Sequence, residues 1–245
     1  MTTAAPTLPE HFLADREAGE RSPERDAAWE RFAAAGLPGR KAEAWRGLDL
    51  RPLGETPYRR AEGGFTGECL VPLTAEPGDR GLDEDNPFVS LQRALGAAGH
   101  VLRITADGTY RVRHAAPAAT GPTAHYPRLH VEVADGVEAT LVEEHAAEGA
   151  GDRFVCPVTT VAVGATAICT HLRLQREPDD VRHVANLGVR VGRDARYRGL
   201  SVALGAALGR VDLRVRLEGP GAEAHLDGLY AHAGTQVGDH HTFVD

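Results

Sequence analysis

From about residue 100 onward, apolar and polar positions alternate in short runs. "YRVRH", "LHVEV", "TTVAV", "NLGVRV" and "VDLRVRL" each turn every second side chain to one face. Alternation of period two, punctuated by glycine, predicts strands. The first 50 residues follow another period. Trp29, Phe32 and Ala33 fall at i, i+3 and i+4 in a segment that opens on Ser22-Pro23-Glu24 and stops at Gly36. An N-cap serine, a proline at the first helical position and a glycine stop delimit a helix. The pattern divides the chain into an N-terminal helical region over 1–53, a connecting segment with loops and a short helix (87–96) over 54–99, and a β core over 100–245.

The strands repeat. "GVEATL" begins at Gly136, "GATAIC" at Gly164, "GRDARY" at Gly192 and "GAEAHL" at Gly221, offsets of 28, 28 and 29, and Gly108 of "DGTYRV" lies another 28 residues earlier. A near-constant period with a strand on each side of every glycine predicts a mainly β solenoid. In that reading each glycine takes a positive φ at a corner and each alanine faces a crowded interior. An antiparallel sandwich or barrel is the alternative, and the regular spacing favours the solenoid.

Composition narrows the function classes. A chain of 245 residues, 42% hydrophobic and 25% charged, can bury a sizeable core, and its 28 glycines and 15 prolines fit many turns. The net charge is −8 with no run of Lys or Arg, which argues against nucleic acid and anionic membranes as partners. The longest apolar run, Leu200 to Leu208, is short for a membrane span. The opening "MTTAAPTLPEHF" has no basic stretch followed by an apolar one, so a cytoplasmic location is expected. Cys69, Cys156 and Cys169 are odd in number and lack C-x-x-C spacing, which argues against a disulfide framework or a cysteine-only metal site.

Catalytic patterns are sparse. "GLSVA" around Ser201 lacks the second glycine of a nucleophile elbow, and "GLPGRK" and "GAALGR" lack the spacing and ending of a phosphate loop. His225, His232, His240 and His241 with Asp239 form the densest histidine group, and imidazole with carboxylate suits zinc or iron. Neighbouring strand residues face opposite ways, so Asp239 and His241 share a face and His240 takes the other. Asp239, His240 and His241 stay as the metal candidates, against a reading as surface or rung-lining residues. "EEH" at 143–145 reads as a solvated strand end.

Several segments together resemble the SufD family, one of the paired scaffold subunits of the Suf iron–sulfur cluster assembly system. In "GLPGRKAEAWRGLDL" at 36–50, Leu37, Pro38, Arg40, Lys41, Glu43, Trp45, Arg46 and Leu50 fit the family's pattern, and Gly47-Leu48 departs from it. The resemblance resumes in "YPRLHVEVADGVEATLVEEH" at 126–145 and "LQRE" at 174–177, and is strongest in "DLRVRLEGPGAEAHLDGLYAHAGTQVGDHHTFVD" at 212–245. The sister family SufB shares this core, and the N-terminal motif decides between the two.

The resemblance implies a right-handed parallel β-helix behind a small helical region. It also implies a non-catalytic subunit that pairs with SufB-like and SufC-like proteins, the latter an ATPase, or forms a homodimer. It assigns this chain no resident cofactor; an iron–sulfur cluster belongs to the assembled complex. Family members continue past D-x-H-T with more β-helix, a Cys-Ser-His-Gly-like motif and a SufC-docking helical segment. The sequence-level expectation is therefore a chain cut short at its C-terminal end and weak in SufC binding.

Overall fold

The computed structural model describes residues 8–39, 42–74, 81–96 and 99–245. Arg40 and Lys41 of the N-terminal motif lie outside the described residues. Among the described residues, four helices, α1 (Glu10–Ala18), α2 (Pro23–Ala35), α3 (Arg51–Glu55) and α4 (Pro87–Leu95), are accompanied by a one-turn 3-10 segment at Glu43–Trp45. Helix α2 starts where Ser22 Oγ accepts from the Arg25 N–H at 3.2 Å, and stops where Gly36, at φ +65°, donates to the Phe32 carbonyl at 2.7 Å. Phe12, Phe32, Leu53 and Phe88 are fully buried and share one cluster with Tyr126, Phe154, Val184 and Leu208 of the β core. At roughly 1.5–3 kcal/mol for each large apolar side chain removed from water, that shared cluster holds the helices to the solenoid.

The described strands are, in chain order, β1 (Arg59–Arg60), β2 (Phe65–Gly67), β3 (Leu70–Pro72), β4 (His100–Ile104), β5 (Gly108–Ala116), β6 (Thr123–His125), β7 (Arg128–Val133), β8 (Glu138–Ala147), β9 (Arg153–Val155), β10 (Val158–Val163), β11 (Ile168–Arg176), β12 (Val181–Val191), β13 (Arg196–Ala203), β14 (Leu208–Leu217), β15 (Glu223–Tyr230) and β16 (Val237–Val244). They wind into a parallel β-solenoid of about five turns. One wall runs β2-β5-β8-β11-β13-β15; the other runs β1-β6-β9-β12-β10-β7-β4-β3, with β14 and β16 continuing beyond β12. Only β2 against β5 and β3 against β4 are antiparallel among the described pairs. These short strands fall in the segment read from sequence as loops, where runs of two or three residues are too short to show a period.

The corners correct the repeat. Glu138 pairs with Ile168, Ile168 with Arg196 and Arg196 with Glu223, so Gly136 stacks on Thr166, Asp194 and Gly221 and not on Gly164 and Gly192. Each corner is a four-residue turn closed by an i to i+3 hydrogen bond: Val137 to Ala134, Ala167 to Gly164, Ala195 to Gly192 and Ala222 to Gly219. The third residue takes the positive φ, +73° at Gly136, +59° at Thr166, +56° at Asp194 and +70° at Gly221. A positive φ at the third position is the type II turn signature, normally met by glycine. Gly164 and Gly192 open their turns instead. A Cβ on Gly192 would stand 2.9 Å from the Val163 carbonyl of the preceding coil. Gly108 pairs with Ala139 and is not a corner of this series.

Inside the coil, Leu129, Val131, Leu141, Val161, Val189 and Val215 build an apolar column. The remaining part of the lumen is polar. In β11 the pattern is inverted: His171, Arg173 and Gln175 are buried, while Ile168, Leu172 and Leu174 stand on the outer side, half-buried.

Candidate functional site

Strand alternation inside the coil carries the polar side chains inward. Val112, Glu143, Arg173, Ser201 and Gly228 form one ladder across β5, β8, β11, β13 and β15, and His114, His145, Gln175, Ala203 and Tyr230 form the next. Glu143 and His145 are fully buried, which overturns their reading as a solvated strand end; of the three, Glu144 turns outward, where it meets Arg113 and Arg176. The missed signal is the alternation itself. Ala139 and Leu141 face in, so Glu143 and His145 must follow them.

Glu143 is the hub. Its Oε1 accepts from Thr159 Oγ1 at 2.9 Å and from His145 Nε2 at 2.6 Å, and its Oε2 accepts from His171 Nε2 at 3.1 Å. The other ring nitrogen of His171 then accepts from the Tyr197 hydroxyl at 2.9 Å. Arg173 donates to His183 Nε2, His183 Nδ1 lies 2.8 Å from Glu177, and Gln175 donates to Glu177 at 2.9 Å. Burial pushes the Glu143 carboxyl up, but hydrogen bonds and charge from His145 and His171 outweigh it and hold it well below the usual range. Glu177 is likewise raised by burial yet held down to about 2 by His183, His145 and Gln175. Burial lowers His114 to about 3 and His125 and His145 to about 4. Chemically the network ties three coils together from within. It offers no group to solvent.

The histidines of the last coil separate as the alternation requires. Asp239 pairs in register with Arg210, and His241 with Asp212, on the outer face; His240 pairs with Val211 and turns inward. Asp239 is held by Arg210, whose guanidinium also donates to Asp212 at 2.6 and 2.8 Å and to the Ala44 carbonyl at 2.7 Å. His241 lines a cleft of about 140 Å³ with Asn186, Asp212 and Asp83. His240 meets the Tyr230 ring edge-on at 5.6 Å, and burial lowers its pKa. His232 stacks on Tyr230, and His225 lies outside, 3.1 Å from Asp227. Among the described residues no group of three or more His, Cys, Asp or Glu is arranged to hold a metal ion. No described helix is long and apolar enough to cross a membrane.

The coils that carry this lumen can be set beside known proteins. A family model described as the SUF system FeS cluster assembly, SufBD core domain, matches residues 112–245, from the middle of β5 to the last residue. The chain belongs to the SufBD core family. It is 25% identical over 276 residues to the iron–sulfur cluster assembly protein SufD of Escherichia coli K12, covering 96% of this chain and 65% of that protein. It is 32% identical over 126 residues to a SufBD family iron–sulfur cluster assembly protein of Synechocystis, covering 48% of this chain and 28% of the relative. A Mycobacterium leprae SufBD family protein is 34% identical over 116 residues, 46% of this chain and 29% of the relative. The chain thus spans less than two thirds of the length of each of these relatives. The SufBD match falls on the coils that hold Glu143, His171 and Arg173, and the Escherichia coli likeness extends over the N-terminal helices as well.

Proposed function

We propose that this chain is a non-catalytic scaffold subunit of the Suf iron–sulfur cluster assembly machinery, working in the cytoplasm with a SufB-like subunit and a SufC-like ATPase. The SufBD core match over 112–245 carries this reading, supported by the SufD likeness across 96% of the chain. The iron–sulfur cluster is cargo, handled by the assembled complex. The interior chemistry favours a scaffold: Glu143, His171, Arg173 and Glu177 are buried and occupied with one another, so they brace the coil instead of meeting a substrate. Asp239, the carboxylate of the metal candidates, is engaged by Arg210.

Co-expression with the SufB-like and SufC-like proteins of the same genome tests the reading. A stable complex with the SufB-like protein, isolated through a tag on this chain and assigned by mass spectrometry, is the expected result. A folded chain that captures neither protein, in this form or in a longer form extended to the length of the relatives, overturns it.

A further inference from the structure

The inversion of β11 puts leucines where polar side chains would ordinarily meet water. In register, Val142, Leu172 and Leu200 form one outer column, and Leu174, Val202 and Leu229 form a second beside it. Leu200 is 41% exposed and Leu229 53%. The two columns run along the solenoid axis, their rungs about 4.8 Å apart and the columns about 7 Å from each other. At one end the first column runs into a concavity of about 570 Å³ between the Gly67–Cys69 turn and Arg111, Arg113 and Val142.

Charge on this wall is mixed: Asp227 stands in register with Leu200 at the far end of the first column, beside His225 at 3.1 Å, and Glu144 stands in register with Leu174. Arg113 and Arg176 meet Glu144, and Arg196 meets Glu223, whereas exposed Arg111 and Arg198 have no acidic partner among the described residues. Arg111 stands in register with Val142 at the head of the first column, and Arg198 with Thr170 along its flank. In a chain of net charge −8, two unpaired arginines beside an apolar stripe favour an acidic occupant. An α-helix laid along the solenoid axis repeats its apolar side chains about every 5.4 Å, close to the rung spacing, and is about 10 Å wide, enough to cover both columns.

We propose that the outer face of the β5-β8-β11-β13-β15 wall is a docking surface for an amphipathic helix of a partner protein, with leucine-type residues on its apolar stripe and carboxylates along its flank. Leu172, Leu200 and Val202 receive the stripe; Arg111 and Arg198 receive the carboxylates.

The probe is a fluorescein-labelled synthetic helix of about 18 residues, with Leu at i, i+3, i+4 and i+7 spacing and Glu on the flanks. A companion peptide carries Lys in place of Glu. Fluorescence anisotropy with the 245-residue chain at low salt is expected to give saturable binding of the acidic peptide, at least roughly tenfold tighter than the lysine peptide. The double variant R111E/R198E, whose exposed positions leave the fold intact by circular dichroism, is expected to reverse the preference. Absence of saturable binding by the acidic peptide, or a preference unchanged by R111E/R198E, overturns the proposal.

Discussion

The Arg210 guanidinium lies over the Trp45 ring, 3.8 Å from its centroid, and so fastens the N-terminal helical region to β14 of the solenoid. Trp45 is the tryptophan of the "GLPGRKAEAW" motif, and Arg210 is almost fully buried between Asp212 and Asp239.

Removing Arg210 should therefore loosen two things at once. Arg210→Met keeps the packing on Trp45 but leaves Asp212 and Asp239 without their cation, and a loss of about 2–4 kcal/mol is expected, since uncompensated carboxylates near a protein interior are costly. Asp239→Asn, at a partly exposed position, should cost under about 1 kcal/mol. Urea unfolding of the two variants checks the order. Proteolysis within residues 36–44 should be faster in Arg210→Met alone.

Stability should fall on mild acidification. His114, His125 and His145 have folded pKa values of about 3, 4 and 4, below the ordinary 6.5. The unfolded chain takes up these protons first, so stability is full above pH 6.5 and is lost as pH falls toward 4, by about 1–2 kcal/mol for each imidazole between pH 7.5 and 5. Glu177, held at about 2, adds a further loss between roughly pH 4.5 and 2. Denaturation midpoints at pH 7.5, 6 and 5 measure the first window; a flat profile there contradicts buried neutral imidazoles. His114→Phe should flatten part of the slope.

Glu143 joins β8 to β10 and β11 through Thr159, His145 and His171. Glu143→Ala should destabilise by about 3–5 kcal/mol, because it strands Arg173 and two imidazoles in the lumen. Glu143→Gln, which keeps the shape and one acceptor oxygen, should recover part of the loss. Chemical denaturation gives both values, and equal costs for the two would mean that charge, not shape, is what the position supplies.

The corners offer a cleaner backbone test. A Cβ on Gly136 meets nothing closer than Thr166 Oγ1 at 3.8 Å, so Gly136→Ala carries only the penalty of a left-handed φ, about 1–2 kcal/mol. Thr166 already bears that strain as a β-branched residue at φ +59°, and Thr166→Gly should leave stability unchanged or raise it by up to about 1 kcal/mol. A fall in melting temperature for Gly136→Ala, with no fall for Thr166→Gly, is the expected outcome at two stacked corners.

Much of this architecture was legible in the chain. Ser22, Pro23 and Gly36 bound the helix they predict, and "TTVAV" and "VDLRVRL" lie in the strands β10 and β14. The alternation also parts His240 from Asp239 and His241, as expected. Other features were misread for physical reasons. The glycine repeat located the coils but slipped by two residues at two corners, because Gly164 and Gly192 serve close backbone approach while Thr166 and Asp194 take the strained turn position. "EEH" read as solvated because a charged pair usually seeks water, and the imidazoles that receive Glu143 come partly from His171, a coil away.

By itself the sequence determined the local periods, the helix caps, the coil length and the motifs that carry the family likeness. These depend on residues near one another along the chain, where sterics and alternation act directly. Tertiary structure alone decided which face of β11 is inside. Judged by hydrophobicity, Leu172 and Leu174 belong in the core and His171, Arg173 and Gln175 outside. Stacking on β8 and β13 overrides that preference, because the register of a parallel coil is shared by all its rungs, and buried charges find partners only on other coils.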